Sequence, residues 1–186
     1  MIVILSGVSG AGKDTIKRIL MGKDGRIKTL PSYTTRDKRV NEIEGENYYY
    51  VSKEKFKEMI DNNEFYEYSV HHGNYYGTNK KLLNERIKNN IVLKDIDVNG
   101  TEDLLKIFRG TDIKIISIFL NISKQEMLRR LENRDDKLKQ EEIELRMERY
   151  DYEMNHIGIY DYVIKNYDAE KTSNIILDII KREQEQ

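Results

Sequence analysis

An α/β fold, with a parallel core sheet flanked by helices, is what this sequence predicts, and three observations lead there. Short continuous apolar runs recur along the chain, separated by segments whose apolar residues keep helical spacing. A glycine-rich turn joins the first apolar run to the first helical segment. No Pro/Gly/Ser-rich linker divides the 186 residues, whose single proline is Pro31, so the length suits one domain carrying small inserted lobes.

The elements follow in order. Ile2-Val3-Ile4-Leu5, bounded by Ser6-Gly7, reads as a buried parallel strand. Ile16, Ile19 and Leu20 keep helical spacing, and Gly22 can stop that helix. Tyr48 to Val51 reads as a strand, and Phe56, Met59 and Ile60 mark a helix begun near Ser52. Ile91-Val92-Leu93 is a further strand, with Leu104, Leu105 and Phe108 on a helix behind it. Ile113 to Leu120 is the longest strand candidate. Ser123-Lys124-Gln125-Glu126 is a capping box, and Met127, Leu128 and Leu131 give its helix an apolar face. Ile143, Met147, Tyr150 and Met154 form a stripe on a longer helix. Tyr162-Val163-Ile164 is a short strand, and Ile175, Ile176, Ile179 and Ile180 line the last helix. The stretch from Ser32 to Tyr76 is richer in tyrosine and turn residues and reads as a separate small lobe.

Composition narrows the function classes. With 32 Lys+Arg against 33 Asp+Glu, the net charge of −1 gives no footprint for nucleic acid or an anionic membrane. The apolar run near the N-terminus is too short for a signal peptide or a membrane span, so a cytoplasmic location is the expectation. The absence of cysteine excludes disulfides and thiolate-metal sites. Three histidines, His71, His72 and His156, make a histidine-based metal site a poor expectation.

The strongest chemical signal is Gly7-Val8-Ser9-Gly10-Ala11-Gly12-Lys13, which fits G-x-x-x-x-G-K between a strand and a helix. That is the context a phosphate-binding P-loop requires. The glycines let backbone N–H groups wrap a phosphate, the helix N-terminus adds its positive end, and Lys13 adds a mobile charge. A P-loop usually places Ser or Thr next, to bind magnesium; here Asp14 stands there, with Thr15 after it. Asp14 is either an acidic residue favoured in a first helical turn or a direct or water-mediated magnesium ligand. A carboxylate about 4 Å from a phosphate charge repels it by roughly 4 kcal/mol at an effective dielectric near 20, so the second reading needs a cation or water between them.

Further along come Ser32-Tyr33-Thr34-Thr35-Arg36, Arg39, Tyr48, Glu67, His72-Gly73-Asn74-Tyr75-Tyr76-Gly77-Thr78 and Asp95-Ile96-Asp97-Val98-Asn99-Gly100. In this order and spacing behind a P-loop, the chain resembles guanylate kinase from Ile2 to about Ile180. The resemblance implies a P-loop NTPase-type sheet (1–31, 80–122 and 157–186), an inserted lobe for the nucleoside monophosphate (32–79) and a helical lid (123–156). It implies ATP-dependent phosphorylation of GMP, and of dGMP, with MgATP as donor. Residues 7–15 would hold ATP together with Arg130 and Asn166. Ser32, Arg36, Arg39, Tyr48 and Tyr76 would hold the GMP phosphate, a set of guanidiniums and hydroxyls suited to a dianion. Glu67 would read the base, accepting from guanine N1–H and the N2 amino group, with Thr78 beside it. Such a site can reject the wrong base by roughly 10⁴-fold or more. On Glu67 the residues themselves leave open an exposed strand position, with Glu64 an equally acidic neighbour.

Asp95 and Asp97 follow the strand Ile91-Val92-Leu93, and alternation puts both on one face at its C-terminal end. One would help hold the magnesium water shell and the other approach the guanine; a helix-cap position for Asp97 is the alternative. Arg134 and Arg146, with Arg130, would meet the ATP phosphates and, with Lys13, Arg36 and Asp95, serve the transfer, where positioning and charge neutralisation dominate. The family usually has Gly after the arginine matching Arg134, whereas this chain has Asp135. Two other functions fit parts of the pattern. A ribose 1,5-bisphosphate kinase commonly carries Asp after the P-loop lysine but has no need of Tyr48 or Glu67. A non-catalytic guanylate-kinase-like module would bind a protein, yet such modules tend to lose the P-loop that is intact here. The expected partners are small molecules, with no nucleic acid and no membrane; oligomeric state is not readable.

Overall fold

The computed structural model describes residues 1–40, 42–71, 73–133 and 140–185, and the side chains of 140 and 141 are outside the description. Arg134, Asp135 and His72 therefore lie outside the described residues. The fold is mixed α/β with a parallel central sheet flanked by helices, and it carries a second sheet of four strands. The chain divides into two compact units.

The first unit comprises Met1–Ile2 and Arg26–Ile115. To the central sheet it brings β2 (Ile27–Thr29) and β7 (Ile91–Asp95), parallel neighbours with Ile27 opposite Ile91. Its own sheet holds β3 (Ser32–Thr34), β4 (Tyr48–Tyr50), β5 (Phe65–His71) and β6 (Asn74–Asn79), in the order β4-β3-β6-β5. Helices α2 (Lys53–Asp61), α3 (Lys80–Arg86) and α4 (Val98–Phe108) complete the unit. α2 starts where Ser52 accepts a hydrogen bond from the Lys55 N–H, an N-cap that fixes its first turn.

Strand register gives the small sheet two unlike faces. Ser32 pairs with Tyr48, Thr34 with Tyr50 and with Tyr76, and Glu67 with Thr78. Alternation therefore puts Ser32, Thr34, Tyr48, Tyr50, Glu67, Tyr76 and Thr78 on one polar face. Tyr33, Tyr75 and Gly77 fall on the other, where Phe56 and Met59 of α2 pack with Phe65. Phe65 reaches that apolar face because the register shifts between Phe65 and Glu67, inserting one extra residue. Gly77 lies beneath the rings, where an added Cβ would sit 2.9 Å from Phe56 Cζ and from Phe65 Cδ1.

The second unit comprises Val3–Gly25 and the chain from Ile116 onward. It contains β1 (Ile2–Gly7) and β8 (Ile115–Asn121), each but for its first residue, with α1 (Lys13–Lys23), α5 (Lys124–Glu132), α6 (Gln140–Asn155), β9 (Tyr162–Lys165) and α7 (Ala169–Glu185). β1, β8 and β9 are neighbours in that order, and β8 and β9 run parallel with Ile118 opposite Tyr162. α1 packs on α7. Ser123 caps α5 by accepting from the Glu126 N–H, as the capping box predicts.

Gly22 lies in the last turn of α1, which ends one residue later at Lys23. Several expectations need correction. The strand expected at Ile113 begins at Ile115. Ile175 is 48% exposed, and the buried face of α7 is Thr172, Ser173, Ile176 and Ile180. Strand alternation does not extend to Asp97, because β7 ends at Asp95 and Asp97 caps α4. β2, β3, β6 and α3 are not among the expected elements, and β5 is anticipated only as the strand position left open for Glu67; their mix of polar and aromatic residues shows no clean apolar period. Among the described residues no helix is long and apolar enough to cross a membrane.

Phe56→Ala should destabilise the protein by ~3–5 kcal/mol, because it empties the centre of the cluster under the small sheet. Denaturant titration followed by circular dichroism measures it.

Candidate active site

In the second unit, β1 delivers the chain into the Gly7–Lys13 turn and α1 leaves from it. Gly12 is the N-cap, at φ 91°, and a Cβ there would meet Asn166 Nδ2 at 2.8 Å. Both the left-handed backbone and the close approach require glycine. The turn's carbonyls are held by the protein's own donors. Lys13 Nζ donates to Gly7 O at 2.8 Å and Val8 O at 3.5 Å. Arg130 Nη1 donates to Gly10 O at 3.1 Å and Asn166 Nδ2 to Ala11 O at 2.7 Å. Arg130 Nη2 also donates to Asn166 O at 2.9 Å, and its Nε to Glu126 Oε1 at 2.7 Å. Two bonds from Arg129 and one from Arg130 hold the Glu126 carboxyl down at about 2. Arg146 of α6 donates to Ser9 Oγ at 2.7 Å. The expected ATP residues Lys13, Arg130, Arg146 and Asn166 thus each hydrogen-bond to a residue of the Gly7–Lys13 turn.

Asp14 and Thr15 are exposed on the first turn of α1. The Asp14 carboxylate is 94% exposed and pairs with Lys17 at 2.7 Å. Among the described residues no three His, Cys, Asp or Glu side chains cluster as a metal site.

In the first unit the polar face of the small sheet carries Ser32, Tyr48 and Tyr76 of the residues expected to hold the monophosphate. Arg36 lies with its guanidinium carbon 5.2 Å from the Tyr48 ring centroid, and the Tyr48 and Tyr76 rings meet edge to face at 5.9 Å. Arg36 Nη2 donates to Glu42 Oε1 at 2.7 Å. The Arg39 N–H and Tyr50 hydroxyl donate to Glu42 Oε2 at 2.9 and 2.8 Å. Burial alone would raise the Glu42 carboxyl, but these three donors and the Arg36 charge hold it at about 2. Burial and the bond to Glu42 push the Tyr50 hydroxyl up to about 12. The Arg39 residue is exposed. Ser32 Oγ accepts from Lys94 Nζ at 2.6 Å.

Glu67 is not an exposed strand residue: it is 7% exposed, opposite Thr78, whose hydroxyl donates to its Oε1. Burial raises its carboxyl above the usual range, opposed by the Lys94 charge and then the Thr78 bond. A Cβ at Gly100 would run into Ile96 Cδ1, so the bare first turn of α4 makes room for the Ile96 side chain, with Glu67 Oε2 next to it at 3.2 Å. Asp97 Oδ1 accepts from the Gly100 N–H at 2.9 Å, and Asp97 Oδ2 lies 2.8 Å from His71 Nε2. Asp95 is half-buried at the end of β7. Sequence reasoning missed Glu42, Tyr50, His71 and Lys94. For Lys94 a signal existed, a lysine directly after the apolar run Ile91-Val92-Leu93 and within reach of the same buried strand; for the others none did.

Glu42→Gln should destabilise the protein at pH 7 by about 1.5–3 kcal/mol, the range for hydrogen bonds to charged groups. Because folding lowers the Glu42 carboxyl, its contribution is complete above its unfolded value near 4.5 and fades as pH falls toward about 2. Denaturant titrations from pH 7 to 3 should therefore show the difference between native and variant proteins shrinking below pH 4.5.

The family profile described as Guanylate kinase matches residues 1–183. A guanylate kinase of Prochlorococcus marinus (strain MIT 9312) is 40% identical over 182 residues, covering 97% of this chain and 96% of that one. One of Helicobacter pylori (strain 26695) is 39% identical over 184 residues, covering 97% and 86%. The crystal structure of guanylate kinase from Anaplasma phagocytophilum matches with a TM-score of 0.80 at 30% identity, over 100% of this chain and 87% of that one. Shikimate kinase from Acinetobacter baumannii shares the fold, with a TM-score of 0.53 at 14% identity over 100% and 95% of the two chains. With profile, sequence and structure in agreement over nearly its whole length, the chain belongs to the guanylate kinase family.

Proposed function

We propose that this protein transfers the γ-phosphoryl group of ATP to GMP, giving ADP and GDP. A GMP phosphate oxygen attacks the γ-phosphorus in line; that O–P bond forms as the bridge to the β-phosphate breaks, leaving ADP. The attacking oxygen is already anionic, so no side-chain base is invoked, and catalysis rests on positioning and charge neutralisation. The observation that carries the acceptor's identity is Glu67, a buried carboxylate on the polar sheet face with one lone pair taken by Thr78. Its remaining lone pairs suit guanine N1–H and the N2 amino group. Adenine lacks that amino group and turns an acceptor toward the carboxylate. dGMP is accepted too, since recognition runs through base and phosphate.

Ser32, Arg36, Arg39, Tyr48 and Tyr76 bind the GMP phosphate, and Asp97 supports the base end. The Gly7–Lys13 turn holds the ATP phosphates on its N–H groups and Lys13, while Arg130 and Asn166 brace it and Arg146 joins from α6. Arg134 and Asp95 are assigned by family pattern, Arg134 to the phosphates and Asp95 to the transfer. Magnesium arrives with ATP as the counter-ion of its phosphates. Residues 32–79 serve as the monophosphate lobe and 123–156 as the lid, in a cytoplasmic enzyme.

An acceptor panel tests the reading: ADP release with GMP should far exceed that with AMP, CMP, dTMP or ribose 1,5-bisphosphate. Glu67→Gln should lower kcat/KM for GMP by roughly 10²-fold or more and narrow its margin over AMP. Unchanged selectivity would remove Glu67 from base reading. Asp14→Ser should leave turnover within about twofold, as for a surface substitution; a collapse with a raised magnesium requirement would make Asp14 a ligand.

A further inference from the structure

Lys94 stands fourth in the strand Ile91–Asp95, yet it is 1% exposed and among the largest fully buried side chains. A buried ammonium is strongly unfavourable unless its protons and charge are matched. Lys94 Nζ donates to Ser32 Oγ at 2.6 Å and to Leu30 O at 3.3 Å. An ammonium only donates, so Ser32 receives it on a lone pair, and the serine's own proton must point elsewhere. Ser32 opposes Tyr48, over whose ring Arg36 lies, so the acceptor best suited to that proton is an oxygen of the anion this face gathers.

Glu67 lies on the same sheet face as Ser32, and the Lys94 charge bears on it as well. Glu67 is buried, and burial pushes its carboxyl up. The Lys94 charge opposes this most, ahead of the Thr78 hydroxyl, while Asp97 and Asp103 of α4 add to the rise. A protonated Glu67 would carry a donor where guanine also presents a donor.

We propose that Lys94 is a positioning residue for the acceptor nucleotide: its ammonium aims the Ser32 hydroxyl outward at the phosphate and supplies the counter-charge for the buried Glu67 carboxylate as it receives the base. This rests on the reading of Ser32 and Glu67 given under the proposed function. One buried cation then couples recognition of the phosphate to recognition of the base.

Lys94→Met keeps the length and apolar stem but removes charge and donors. It should raise KM for GMP by roughly 10- to 100-fold, the loss expected for charge-assisted hydrogen bonds. KM for ATP should stay unchanged, and the acid limb of kcat/KM for GMP should move to higher pH. Ser32→Ala should raise KM for GMP without moving that limb, which separates the two effects. A Lys94→Met enzyme with native KM for GMP and a native acid limb overturns the proposal. If circular dichroism shows that Lys94→Met does not fold, Lys94→Arg decides: it should keep the limb in place while raising KM for GMP, and a displaced limb overturns the proposal. Absence of GMP turnover in the native chain, or unchanged base selectivity in Glu67→Gln, overturns the underlying reading as well. A native Lys94→Met profile beside a selective native enzyme overturns the Lys94 proposal alone.

Discussion

The register shift between Phe65 and Glu67 is the constraint on which the first unit depends. In a regular strand those two residues, two positions apart, would share a face. Either the ring would lie among polar groups or the carboxylate would lie in the apolar cluster. One extra residue resolves the conflict. Phe65 then packs with Phe56 and Met59, while Glu67 turns to the face of Ser32, Tyr48, Tyr76 and Thr78. Gly77 is the complement of that choice, since the two rings fill the space a side chain would need.

Burying Glu67 sets a second requirement, because a carboxylate out of water must be matched by donors and charge. Thr78 supplies the donor directly across the strand pair, and Lys94 supplies charge from a strand of the central sheet. Arg36 is managed in the same way. Its guanidinium is paired with Glu42, which the Arg39 N–H and Tyr50 also hold, so the cation is fixed in place. In the second unit the turn between β1 and α1 has carbonyls tied to Lys13, Arg130 and Asn166. A turn whose carbonyls are directed to the protein's own donors is suited to offering N–H groups to an anion.

Legibility in the sequence tracks how local each signal is. The helices with clean apolar spacing, the Ser52 and Ser123 caps and the apolar strands were readable, because period and capping chemistry involve residues within a turn or two. The phosphate turn was readable for the same reason. Ser32–Thr34 was not, since its serine and threonine flank a single tyrosine with no apolar run, and the strand exists through its pairing. Asp97 misled because two-residue alternation was extended past the end of the strand into a helix cap.

The sequence alone determined the α/β class, the strand–turn–helix that places Gly7–Lys13 and the set of acidic, basic and tyrosine residues available for a nucleotide. These depend on spacing along the chain. Tertiary structure alone decided that Glu67 is buried opposite Thr78, that Lys94 donates to Ser32 and that Glu42 gathers Arg36, Arg39 and Tyr50. Such choices follow from how loops fold back and which strands pair, in what register and with which irregularity; Lys94 and Ser32, 62 positions apart, meet only through that pairing.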